Sequence, residues 1–316
     1  MAALRVAAVQ IYLPIADMPV NMFLIFGIGL AVGFLSGMFG IGGGFLLTPM
    51  LIFLGIPPVV AVATVSTHIS ASMFSGSVAY WRRKALDPAL AAMLIGGGIL
   101  GTFGGVWLIS VLRSIGQIDL VLGIAYFSLL GIVGGLMVVE SARAITRSRQ
   151  GGPADLRRPG SHAWFHGLPF KVRFKQSRIY VSVIPIWVLG FITGLLGAMM
   201  GVGGGFMLVP ALIYLFRVPT SVVIGTAMMI QLVTMSMATV MHAFTNHSVD
   251  VVLALLLMVG GVTGAQFGAR AGQRIRSEQL RLLLGLLVLL VGLRFALVLV
   301  IEPANPYSLQ ISEAGP

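Results

Sequence analysis

Long apolar runs alternate with short polar breaks along almost the whole chain. They lie near 21–39, 45–55, 58–80, 88–111, 118–139, 180–200, 205–216, 219–243, 250–268 and 279–300. A helix that crosses a bilayer needs about 20 apolar residues. Runs 58–80, 88–111, 118–139, 219–243, 250–268 and 279–300 meet that length, and 21–39 and 180–200 meet it marginally. The pieces 45–55 and 205–216 are too short for a straight crossing and are expected as half-helices, re-entrant or tilted.

The pattern occurs twice. GIGGGFLLTP at 40–49 matches GVGGGFMLVP at 201–210, an offset of 161 residues. Ordered matches follow: Pro58 with Pro219, Thr64 with Thr226, Gly97 and Gly101 with Gly260 and Gly264, Gly123 with Gly285. One glycine-rich match would mean little, but a series in register marks an internal duplication. The expected organisation is a first membrane repeat over 20–140, a linker over 141–178, a second repeat over 179–301 and a tail over 302–316.

Composition agrees. Hydrophobic residues make up 58% and charged residues 9% of 316, and mean hydropathy is +1.01. A soluble domain carries about 25% charged residues, so this chain cannot build a polar skin around a soluble fold. Cysteine is absent, which removes disulfides and thiolate chemistry. The net charge of +11 could suggest nucleic acid, but its placement favours a membrane surface. Nine basic residues (Arg143, Arg147, Arg149, Arg157, Arg158, Lys171, Arg173, Lys175, Arg178) sit in the linker against one acid, Asp155. Such a loop belongs on the cytoplasmic face. The first twenty residues, interrupted by Pro14, Asp17 and Pro19, do not resemble a cleaved signal.

Charge also orients the halves. With the linker inside, Arg82, Arg83 and Lys84 fall inside and Arg113 outside. If each glycine-broken unit returns to its starting side, Arg270, Arg274, Arg276 and Arg281 also fall inside and both termini outside. Eight simple crossings would instead put that second cluster outside, against the positive-inside rule. The expected fold is therefore an all-α polytopic membrane protein of two inverted repeats, each a glycine-broken helix hairpin plus three transmembrane helices.

Three glycines in a row weaken a helix by about 1 kcal/mol each relative to Ala. Here they recur at one place in each half, closed by Pro49 or Pro210. Discontinuous helices of this kind meet near the membrane midplane in transporters. Unwound N–H groups and the dipole ends of the helices that follow attract anions. The next helix of each half carries hydroxyl and amide groups: Thr64, Ser66, Thr67, His68, Ser70 and Ser72 in the first, Thr226, Gln231 and Thr234 in the second. Neutral donors can hold an anion and release it, although hydroxyls in membrane helices also bond back to their own backbone. The candidate substrate-binding residues are Gly42, Gly43, Gly44, Phe45, Thr64, Thr67, His68, Gly203, Gly204, Gly205, Phe206, Thr226 and Gln231. His242 is expected near an exterior helix end, and Asp87 as a helix cap. The glycines lack the strand and the following acid of a dinucleotide site. No His-Glu-x-x-His, Gly-x-Ser-x-Gly or Walker pattern occurs, so no catalytic residue, metal ligand or cofactor is expected.

On the paired GxGGG elements at 40–49 and 201–210, the Ile224-Gly225-Thr226 stretch with its counterpart Val62-Ala63-Thr64, and the pairs Gly97/Gly101 and Gly260/Gly264/Gly268, the chain resembles the sulfite exporter TauE/SafE family. The resemblance spans roughly Phe23 to Leu299. Ala63 departs from the usual glycine. The resemblance implies a multi-pass transporter of the bacterial inner (cytoplasmic) membrane that exports sulfite or a related sulfur-containing or organosulfonate anion. Coupling to H+ and assembly as a homodimer stay open. A channel or facilitator, or a membrane adaptor working through the basic linker, are the competing readings.

Overall fold

The computed structural model describes residues 10–39, 42–149, 169–174, 176–177, 179–216, 218–272 and 277–300. Most of the basic linker, residues 273–276 and the tail lie outside them. Two runs of like elements follow each other in the same order. The first is a hairpin of β1 (Gln10–Leu13) and β2 (Met18–Asn21), then α1 (Met22–Phe39), α2 (Gly44–Phe53), α3 (Pro58–Arg82), α4 (Pro88–Ser114) and α5 (Ile118–Arg149). The second is a hairpin of β3 (Lys171–Phe174) and β4 (Ile179–Ser182), then α6 (Val183–Met200), α7 (Gly205–Pro210), α8 (Thr220–Met241), α9 (Val251–Gly272) and α10 (Ser277–Val300). A π-helical turn, Ala211–Leu215, prolongs α7, and another, His242–Asn246, prolongs α8.

Among the described residues six helices are long and apolar enough to cross a membrane: 58–82, 88–114, 118–139, 183–200, 222–246 and 251–268. The chain is thus a helical polytopic membrane protein. The marginal run 180–200 qualifies, and α10 spans Ser277–Val300 with an apolar stretch that includes Leu282–Leu297. The two half-helices form as α2 and the α7 π-turn unit. The helical fold carries one addition: each half opens with a small antiparallel hairpin, pairing Gln10 with Asn21 and Lys171 with Ser182. In 171–174 the alternating exposed positions are the basic Lys171 and Arg173, so charge masks the strand pattern. Helix α5 also runs on to Arg149, into the region assigned to the linker.

Glycine decides which helices touch. A Cβ on Gly33, Gly264 or Gly268 would collide with backbone across the α1–α9 contact, and one on Gly97 or Gly101 with backbone of α6 across the α4 contact. Small residues let membrane helices approach this closely. The halves therefore interlock, the first helix of each packing on the fourth helix of the other. Contacts also give directions. Residues 29, 33 and 37 of α1 meet 257, 261 and 265 of α9, so these helices run parallel, as do α4 and α6. Gly76 faces Met228 and Ser70 bonds Ser236, so α3 and α8 run antiparallel. Gly134 faces Leu289 and Gly292 faces Leu130, so α5 and α10 do the same. Helix α4 runs alongside α8, from Asp87–Thr226 through Gly98–Thr234 to Ser110–Asn246. The C-terminal ends of α3, α5 and α9, which lead into the basic segments, thus share one end of the molecule.

Candidate functional site

The two glycine runs, 161 residues apart in sequence, meet at the centre. The rings of Phe45 and Phe206, the residues after each run, stack at 4.7 Å with an interplanar angle of 12°. A Cβ on Gly44 would stand 2.6 Å from the Gly201 carbonyl oxygen. Thr48 donates to that same oxygen at 3.2 Å, and Tyr126 donates to Met200. The breaks are sharp because Gly42 (φ 75°), Gly201 (φ 67°), Gly203 (φ 80°) and Gly204 (φ 69°) adopt left-handed conformations that cost other residues about 1–2 kcal/mol each.

Beside the first run lies a cavity of about 220 Å³. Its walls come from α1 (Gly33, Ser36, Gly37), the break (Gly42, Gly43), α3 (His68, Ile69, Ser72, Met73, Gly76), α8 (Met228) and α9 (Gly261, Ala265). Among the described residues no Asp, Glu, Lys or Arg lines it. His68 is 4% exposed, and its Nδ1 has no partner. Its ring lies on Gly261, where any Cβ would strike it. A bare acceptor is the less costly orphan than a buried N–H, which assigns the ring proton to Nε2 and makes His68 a donor. Ser36 Oγ accepts from Gly43 N–H at 2.9 Å, and its own proton is then available to the cavity. Two neutral donors and two thioethers therefore face one small space.

Gln231 is the side chain common to both breaks. Its carboxamide packs on Gly42, Gly203 and Gly205, it is 2% exposed, and its Oε1 has no partner. Buried side-chain oxygens without a partner are uncommon. The equivalent position in the second half differs. Gly197 stands where the first half has Ser36, and Met235 Cε would be 2.9 Å from a Cβ there.

Other expected residues are engaged elsewhere. The N–H groups of Gly43, Gly44 and Gly205 bond Ser36 Oγ, Gly42 O and Gly203 O, so they are not displayed as the sequence suggested; a tight turn satisfies its own donors. Thr67 donates back to Ala63 O at 3.1 Å. Thr64 accepts from Asp250 N–H and Thr226 from Asp87 N–H, and neither lines the cavity. His242, expected at an interface, is fully buried. Its Nε2 meets Ala198 O at 3.1 Å and its Nδ1 meets Asn246 Nδ2 at 3.0 Å. Ser36 was missed. Its signal is that it is the lone polar side chain of α1 and sits within the Gly33/Gly37 stripe. Among the described residues no cluster of three or more His, Cys, Asp or Glu could hold a metal.

The family model described as sulfite exporter TauE/SafE matches residues 25–295. A probable membrane transporter protein of Xylella fastidiosa (strain 9a5c) is 29% identical over 284 residues, 86% of this chain and 94% of that protein. The probable membrane transporter protein YunE of Bacillus subtilis (strain 168) is 26% identical over 273 residues, 84% of this chain and 93% of its own length. A protein of Arabidopsis thaliana named sulfite exporter TauE/SafE family protein 3 is 28% identical over 137 residues, 42% of this chain and 29% of that one. No solved structure matches the chain.

Proposed function

This chain belongs to the sulfite exporter TauE/SafE family, and we propose that it is a secondary transporter carrying a small sulfur-containing anion, sulfite or an organosulfonate, outward across the cytoplasmic membrane. The observation that carries this reading is the cavity of about 220 Å³ beside the first break, which His68 and Ser36 line and, among the described residues, no Asp or Glu does. An anion there accepts from His68 and Ser36, with Gln231 within a side-chain rotation. Weak neutral donors suit a carrier, because the anion must also leave. Antiparallel pairing of α3 with α8 and of α5 with α10 supports inverted repeats, in which equivalent helices point oppositely through the bilayer.

The test is reconstitution in liposomes with sulfite, sulfate, sulfoacetate, taurine and thiosulfate. Saturable flux of one or more of the anions is expected, and no flux of any would refute the reading. Flux that responds to an imposed proton gradient marks a carrier, and indifference to it favours a facilitator of the same architecture.

Topology supplies an independent prediction. Single cysteines at Gly151 and Gln273 should label from the cytoplasmic side, and those at Ala3 and Ala314 from outside. Labelling of Gln273→Cys from the periplasm alone would break the inverted arrangement.

A further inference from the structure

Two buried carboxylates at opposite ends of the molecule bond to corresponding elements. Asp87 is 2% exposed and caps α4, its Oδ1 accepting from Ala89 and Leu90 N–H at 3.2 Å each. Its Oδ2 reaches into the other half, accepting from Ser177 N–H at 2.9 Å and Ser177 Oγ at 2.8 Å in the β3–β4 turn. Its backbone N–H donates to Thr226 Oγ1 of α8 at 3.2 Å. Asp250 is fully buried and caps α9, its Oδ1 accepting from Leu253 N–H at 3.0 Å. Its Oδ2 accepts from Ile15 N–H of the β1–β2 turn at 3.1 Å, and its N–H donates to Thr64 Oγ1 of α3 at 3.1 Å. Each aspartate thus uses one oxygen for its own helix and the other for the opposite half.

We propose that these are two latches, one per membrane face, that open in alternation. The inference rests on the carrier reading above. A cap alone needs one oxygen, and an N-cap commonly tolerates water on the other. Here that second oxygen joins the fourth helix of one half to the hairpin of the other. The cavity lies between the latches, displaced toward the Asp87 end, while toward the Asp250 end Met235 packs close against Gly197. Both latches are closed in the structure. Releasing Asp87 frees α4 and the start of α8 at the end bearing Arg82, Arg83 and Lys84; releasing Asp250 frees α9 and the start of α3 at the other.

The test uses the cysteine-free full chain carrying Met228→Cys in the cavity wall, in right-side-out and inverted vesicles, with a membrane-impermeant thiol reagent. Ser177→Ala combined with Thr226→Val removes the two hydroxyl bonds of the Asp87 latch, so weakening it, and leaves Ser177 N–H on Oδ2 and the cap oxygen in place. Thr64→Val and Asp250→Asn weaken the other. Asp87→Asn is a second probe, since its amide still caps through oxygen but cannot accept from Ser177 N–H. The Asp87-side variants should raise labelling from the Arg82 side alone by at least about fivefold, the lower range of allosteric coupling. The Asp250-side variants should raise it from the opposite side alone. Unchanged labelling, or a rise from both sides, in variants that purify as monodisperse protein overturns the latches and leaves two helix caps. Protection of the same cysteine by sulfate or sulfoacetate reports separately on the anion site, so the two readings fail independently.

Discussion

Gly43→Ala and Gly204→Ala are each expected to lower anion flux at least about tenfold, a change of about 1.4 kcal/mol, while both variants still insert and purify. The two act by different physics. Gly43 has ordinary angles (φ −56°, ψ 1°), so its methyl is not strained. It is crowded: a Cβ would stand 2.6 Å from Val32 Cγ1 and 3.3 Å from Ser36 Cβ. The wall of α1 must move, and Ser36 moves with it. At Gly204 the backbone is left-handed, and a Cβ would stand 3.0 Å from Thr193 O, so alanine straightens the second break. Gly131 and Gly27, with nothing within 4 Å of an added Cβ, are the controls; alanine there should leave flux unchanged and stiffen the helix slightly. Gly44→Ala is a poorer probe, because its methyl meets Gly201 backbone and would damage the fold itself. Unchanged affinity and flux in both variants would return the glycines to simple packing.

Much of this architecture was legible because membranes reward long apolar runs and duplication writes the same break twice. The runs at 45–55 and 205–216 were recognisable as partial helices by length alone, and the GxGGG match placed them in equivalent positions. Small-residue spacing at Gly97/Gly101 and Gly260/Gly264 marked close helix contacts, though which helices they join is a three-dimensional fact. Polar residues were harder to sort. Thr64 and Thr226 have the composition of a binding site and the geometry of an anchor, since their role depends on Asp250 and Asp87, 186 and 139 residues away. Gln231 and His68 resemble them in sequence but are buried with unpartnered atoms. Only the packed structure separates a satisfied hydroxyl from an unsatisfied amide. Ser36 was hidden for the opposite reason: one serine in an apolar helix is unremarkable until the glycine run folds back and places Gly43 N–H on it.

His68→Ala should reduce flux at least about tenfold and leave stability unchanged or raised, and that combination separates mechanism from packing. A buried polar atom without a partner costs about 1–3 kcal/mol, and Nδ1 is such an atom. Truncation removes that cost. The ring already borders a cavity, so its loss enlarges an existing space and sacrifices fewer contacts than a core truncation. A purely structural histidine, paired on both nitrogens as His242 is, would behave oppositely: alanine would strand its partners and destabilise the protein. His242→Ala is therefore the matched comparison, expected to lower the melting temperature through Ala198 O and Asn246. His68→Gln, which keeps an N–H donor, should retain part of the flux that alanine loses. Ser36→Ala removes the bond to the anion and also strands Gly43 N–H, and with each neutral bond worth about 0.5–1.5 kcal/mol it should cost at least roughly two- to tenfold. If His68→Ala transports at the original rate across about pH 6–8, where an unperturbed imidazole changes charge, the ring neither binds the anion nor moves a proton. The donors of the site must then be sought in Ser36 and Gln231.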